Sequence, residues 1–132
     1  MAGRLEYNTE AATYFKLVAV DEDESRFVSI FDGRTEYRVG ETVQDEVRAG
    51  HKGGIYVCES LLDLLKLGPL PSKSAMIDNP WAVVQLTGWG NKLRYNELSG
   101  GTKVAISSVS LGLCCSLSKT QVLSEMQSIL TR

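Results

Sequence analysis

The residues that could do chemistry are concentrated in "HKGGIYVCESLLDLLK", residues 51 to 66. His51 is the only histidine and could act as an acid or base near neutrality. Gly53 and Gly54 could cradle an anion through their backbone amides. They stand outside the GxGxxG fingerprint and the GxxxxGK[ST] loop, so a turn before a strand is the plainer reading. Cys58 precedes a helix N-terminus, a position that favours a thiolate. Strand alternation places it beside Tyr56, where an inert core thiol is the simpler expectation. Glu59 could supply a partner charge to His51. An extended strand between them separates the two by roughly 20 Å or more, so they make a poor dyad.

A second group is "TGWGNK". Trp89 stands between Gly88 and Gly90. Tryptophan is a frequent binding anchor, and one held on a glycine-flanked bend is a candidate for ligand or partner contact. Closing one edge of the core is its structural alternative. The acidic run Asp21 to Glu24 lacks the length, central glycine and final glutamate of a calcium loop, and reads as a solvated hairpin tip. No metal site and no cofactor is expected.

These residues must be positioned by a fold. A chain of 132 residues is expected to form one domain. Residues 1 to 11 are polar and expected to fray. "YFKLVAV", "RFVSIF" and "TEYRV" read as three strands of an antiparallel meander, with a "DG" turn at 32 and 33. "ETVQDEVRAG" reads as an exposed excursion. "GIYVCE" is a fourth strand, with Ile55 and Val57 on one face and Tyr56 and Cys58 on the other.

Ser60 and Asp63 form a capping box, followed by a leucine stripe to Leu67 and a stop at Gly68 and Pro69. "WAVVQLTGW" is a fifth strand that "GWGNK" interrupts, where a bulge is allowed. "LRYNEL" and "KVAISSVSL" complete the sheet. Val122, Leu123, Met126, Ile129 and Leu130 recur at helical spacing, so a second helix is expected over residues 119 to 131. The expected fold is α+β: a single mostly antiparallel or mixed sheet of five to seven strands with two packed helices. Barrel closure is left open.

Fourteen Lys and Arg against sixteen Asp and Glu give a net charge of -2. The densest cations, Lys92 and Arg94, have few cationic neighbours, which disfavours a nucleic-acid partner. Three cysteines, two of them adjacent, suit neither a disulfide framework nor a zinc site. "MAGRLEYNTEAA" lacks the apolar stretch of a signal peptide, and no run is long enough to span a membrane. A cytoplasmic location is the expectation.

The order of "YRVGETV", "GGIYVCESLLDLL", "WAVVQLTGWG" and "GTKVAISSVSL" resembles an uncharacterised small α+β domain found in phage and other proteins. There a strand ending in "VG" precedes a glycine-led G-[LI]-[HY]-V strand, a helix, a valine-rich strand and a "KVR-x-S-x" strand. The matching positions are Val39 to Gly40, Gly54 to Val57, Ser60 to Leu67, Val83 to Leu86 and Lys103 to Ser108. The resemblance spans about residues 12 to 111. Tyr56 stands where the phage forms usually carry histidine, and Ala105 where they carry arginine. The family has no established activity, so the resemblance implies an order of elements and no mechanism.

Three functions are compatible with this reading. The first is a non-catalytic binding or adaptor domain for a protein partner or small molecule, with a surface around Gly53 and Trp89. The second is a small transferase or hydrolase with a pocket near the "HKGG" loop, served by His51, Tyr56 and Glu59. The third is a homodimer formed through the C-terminal helix.

Overall fold

The computed structural model describes residues 4–21, 26–30, 35–50, 52–66, 81–96, 101–111, 117–118 and 124. They form a single α+β domain. Its strands are β1 (Glu6–Asp21), β2 (Arg26–Ser29), β3 (Glu36–Tyr37), β4 (Thr42–Gln44), β5 (Ile55–Val57), β6 (Trp81–Asn96), β7 (Thr102–Leu111) and β8 (Leu117–Ser118). All lie in one sheet, and every paired strand is antiparallel. A lone parallel bridge joins Val39 to Leu111.

Sequence alternation explains β1. Tyr14, Lys16 and Val18 are buried, while Phe15 and Leu17 between them are only partly covered. A period of two is what a strand with one covered face requires. Along one edge β1 pairs with β6, from Glu6 against Lys92 to Ala19 against Trp81. β6 then turns back as β7. β7 pairs with β5 through Val104 to Ile106 and with β4 through Ser108 to Ser110.

The end of β5 returns to β1. Cys58 and Phe15 exchange both backbone hydrogen bonds, each 2.8 Å. The path β1–β6–β7–β5–β1 is therefore a near-closed ring, joined at its seam by this one bridge. Its interior holds the main core, with Tyr14, Val84, Leu86, Val104, Ile106 and Val109 nearly or fully buried. Each fully buried Val, Leu or Ile contributes about 1.5–3 kcal/mol. A second, smaller cluster of Val47, Leu93, Tyr95 and Ala105 has Leu5 and Tyr56 against it.

This architecture corrects the expectation of two packed helices. Among the described residues the one helix with a defined span is α1 (Leu61–Leu65), only five residues long; Ser124 is a single further helical residue. A sheet curled into a ring covers its own inner face, so it needs no helical layer to bury it. The expected helix over 119 to 131 falls outside the described residues apart from Ser124. Just before it, Leu117 and Ser118 pair with Val83 and Ala82 as a strand.

The Ser60 cap forms as expected. The Ser60 hydroxyl accepts from the Asp63 amide at 3.1 Å and donates to the Asp63 carboxylate at 2.9 Å. That carboxylate also accepts from the Thr102 amide at 3.3 Å, tying α1 to β7.

Two strand boundaries differ from expectation. β1 reaches back to Glu6, into the segment expected to fray, because the far half of β6 offers it a partner. "GWGNK" does not end β6. The register between β6 and β7 slips between Trp89 and Lys92, and the strand continues to Asn96. A bulge absorbs the extra backbone without ending the ladder. The "DG" turn at 32 and 33 lies outside the described residues.

Candidate functional site: a cleft at the barrel seam

The free edge of β1 changes partner partway along. At Phe15 it bonds Cys58 at the end of β5, and from Val18 it pairs with Ser29 of β2. Lys16 and Leu17 lie between the two. Continuing the β5 ladder would bring the Leu17 amide to the Tyr56 carbonyl. Instead the Lys16 ammonium donates to that carbonyl oxygen at 2.7 Å. The strands splay at this point and a cleft of about 370 Å³ opens between β1, β3, β4 and β5. That volume lies in the range of small-ligand sites, roughly 300–1,000 Å³.

Lys16 is only 4% exposed. Its Nζ lies 5.8 Å from the centroid of the buried Tyr37 ring, a cation–π distance. Ser29, Thr35, Tyr37, Val43, Gln44, Asp45, Gly54, Ile55 and Tyr56 complete the walls. At the exposed rim the Asp45 carboxylate accepts from the Gly54 amide at 3.2 Å. The cleft thus has a buried cation, an exposed carboxylate, an aromatic ring and aliphatic surface.

The glycine pair has a structural cause. A Cβ on Gly53 would run into the Glu46 carbonyl oxygen. Gly54 has φ +87°, where a side chain is strained, and a Cβ there would meet Val47 and Ala105 at 3.0 and 3.1 Å. Gly53 thus lets the Glu46 backbone approach it, and Gly54 lets Val47 and Ala105 of β7 do so, which shapes the cleft wall at Gly54.

Tyr56 lines the cleft. Its ring lies 6.3 Å from Tyr95, and Lys103 Nζ stands 5.1 Å from its centroid. Burial, then Tyr95 and Asp45, push the phenol pKa up, so it is a neutral hydroxyl at physiological pH.

Glu59 lies elsewhere. The Arg94 guanidinium grips it with two hydrogen bonds, 2.6 and 2.8 Å, and donates a third, 2.8 Å, to Glu6. Lys92 adds a contact to Glu59 at 3.8 Å. The Arg94 hydrogen bonds hold the Glu59 carboxyl below its usual pKa, and Glu59 in turn raises that of Arg94. Lys92 and Arg94, the densest cations of the sequence, are thus matched by acids from β1 and from the end of β5. Lys92 also donates to the Tyr14 hydroxyl at 3.3 Å.

Trp89 is half-buried in β6, opposite Ser108 of β7, and does not line the cleft. His51 lies outside the described residues. Of the candidates read from sequence, Gly54 and Tyr56 therefore share the cleft, Gly53 supports its wall, and Glu59 and Trp89 stand apart. Cys58 is buried at the seam, where burial and then Asp63 push its thiol pKa up to about 12. A thiol so protonated is a poor nucleophile. Among the described residues no three His, Cys, Asp or Glu side chains gather to hold a metal ion. Nor, among them, is any helix long and apolar enough to cross a membrane.

Sequence reasoning missed Lys16, Tyr37 and Asp45. Lys16 carried a usable signal: it is a lysine on the inward register of "YFKLVAV", between Tyr14 and Val18. A charge on a buried face needs a local reason. Tyr37 and Asp45 carried none, since their place depends on how β3 and β4 meet β5.

No protein-family model matches this chain, and no curated protein or solved structure matches it.

Proposed function

We propose that the protein is a non-catalytic binding domain whose ligand occupies the seam cleft. The observation that carries this reading is Lys16, an ammonium almost wholly withdrawn from water yet lining a cleft of about 370 Å³. The transferase or hydrolase reading is weaker, because Tyr56 and Glu59 serve different parts of the molecule and the Cys58 thiol is protonated. A cytoplasmic setting belongs to the same proposal, since a buried free thiol suits a reducing compartment.

The test is a fragment screen on the isotopically labelled full chain, read by amide NMR shifts. Hits that converge on the amides of Tyr37, Gln44, Gly54 and Tyr56 support the cleft. Hits that map to the outer face around Trp89, or to no common place, would sink it.

A further inference from the structure

We infer that the outer face of the sheet carries a second binding site, separate from the seam cleft, and that its ligand is a neutral sugar ring. The site is an open hollow of about 470 Å³ lined by Gln44, Asp45, Glu46, Asn91, Ser107 and Ser108. Strand alternation puts it outside the ring. A Cβ on Gly88 would meet the Tyr14 ring and Ile106, so Gly88 faces the core. Trp89 therefore faces out, beside its cross-strand partner Ser108. Val43 packs against the core, and Gln44 next to it faces out and donates to the Ser108 hydroxyl at 3.3 Å. Trp89, Ser108 and Gln44 thus form one row across β6, β7 and β4.

The hollow has a cause in the backbone. The β1–β6 ladder slips twice between Glu6 and Ala12, and the β6–β7 ladder slips between Trp89 and Lys92. Gly90, at φ +94°, leaves room for the Ser107 hydroxyl. That hydroxyl accepts from the Asn91 backbone amide at 2.9 Å, and the Asn91 side-chain oxygen accepts from the Asn8 amide at 3.2 Å. A bulge re-aims side chains, and this one fixes the Asn91 carboxamide in the wall of the hollow.

The wall selects the ligand class. All six side chains carry hydrogen-bonding groups, so the ligand is polar over most of its surface. Asp45 and Glu46 supply two carboxylates, and no lysine or arginine lines the hollow, so an anion is repelled. Carboxylate and Gln44 carbonyl oxygens accept; the Asn91 amino group and the serine hydroxyls donate. The hydroxyls of a sugar answer both. Trp89, at the end of the row, offers a flat apolar surface to the C–H face of a pyranose.

The probes are methyl β-glucopyranoside, methyl β-galactopyranoside and methyl α-mannopyranoside, with glucuronate and sorbitol as controls. Each is titrated into the isotopically labelled full chain and followed by the amides of Trp89, Asn91 and Ser107 and by the Trp89 indole N–H. Gln44 lines both the hollow and the cleft, so its amide does not discriminate between them. At least one pyranoside is expected to shift these signals saturably and to leave the amides of Tyr37, Gly54 and Tyr56 in place. Glucuronate should bind more weakly than the glucoside, and sorbitol, with hydroxyls but no ring, more weakly still. Trp89→Ala should weaken pyranoside binding about tenfold. The comparison of probes in the unaltered protein needs no variant, so it stands even if Trp89→Ala misfolds.

Absence of a saturable shift with all three pyranosides overturns the site and leaves the cleft reading untouched. Shifts confined to Tyr37, Gly54 and Tyr56 place the sugar in the cleft and overturn the outer site as well. Glucuronate or sorbitol binding as tightly as the pyranosides overturns the neutral ring as the ligand.

Discussion

Lys16 on β1 and Arg94 on β6 are two cations that the protein uses differently. Arg94 reaches two carboxylates, Glu6 and Glu59, through three hydrogen bonds of 2.8 Å or less. Its side chain is 40% exposed. It joins the start of β1 to the end of β5 and β6, so its charge is spent on holding the ring together. Lys16 is buried, bonds a backbone carbonyl, and faces a ring and an open cleft. A half-exposed arginine in a bidentate pair is a structural clasp. A buried lysine that bonds a backbone carbonyl at the point where two strands part lines a cleft instead. The difference teaches that counting charges along the chain says little; what decides their use is which acceptors the closed sheet brings to each.

Cys58 lies between the two regions, at the Phe15 bridge, and gives the largest expected effect. Raising its pKa from 9.0 to about 12 lowers the thiolate by about a thousandfold at a given pH. Alkylation of native protein by iodoacetamide, mapped to Cys58 by mass spectrometry, should be slower than that of a free thiol by about a hundredfold or more. Modification at an ordinary thiol rate would mean that the seam opens freely, and would erase the boundary between clasp and cleft.

Gly53→Ala comes next. Its Cβ meets a backbone oxygen that cannot rotate aside, so the cost should reach about 1–3 kcal/mol by urea denaturation. The cleft amides of Gly54 and Tyr56 should move with it. A neutral substitution would show that the wall of the cleft is pliable.

Arg94→Met should cost less, about 1–2 kcal/mol, because the carboxylates it abandons are partly hydrated. The sharpening observation is in the spectrum: the amides of Tyr37 and Gln44 should stay where they are. If they move as much as in Gly53→Ala, the two regions are one cooperative unit and the comparison fails.

The smallest effect is a pH dependence. Glu59 is held below its usual value of 4.5, so its contribution is full above about pH 4.5 and is lost as pH falls through the lower folded value. Melting temperatures of the unaltered protein and Glu59→Gln should therefore differ near neutrality and converge in acid. The gap should stay below about 1 kcal/mol, since water screens the pair. A gap that widens in acid would reverse the assignment of Glu59 as the carboxylate of the clasp.

The residues themselves determined the meander of the first three strands, the alternation of β1, the Ser60 cap and the bulge after Trp89. Each follows from local chemistry: period-two burial, turn glycines, a hydroxyl within reach of an orphan amide. A need for glycine at 53 and 54 was also visible, though its cause was not. Only the tertiary structure decided that the sheet curls back on itself through Phe15 and Cys58, and that the helix after β5 is only five residues long. It alone brought Tyr37, Asp45 and Tyr56 around Lys16, and matched Arg94 to acids 35 and 88 residues away. Strand pairing across such separations depends on which edges the rest of the sheet leaves available, and no local pattern records that.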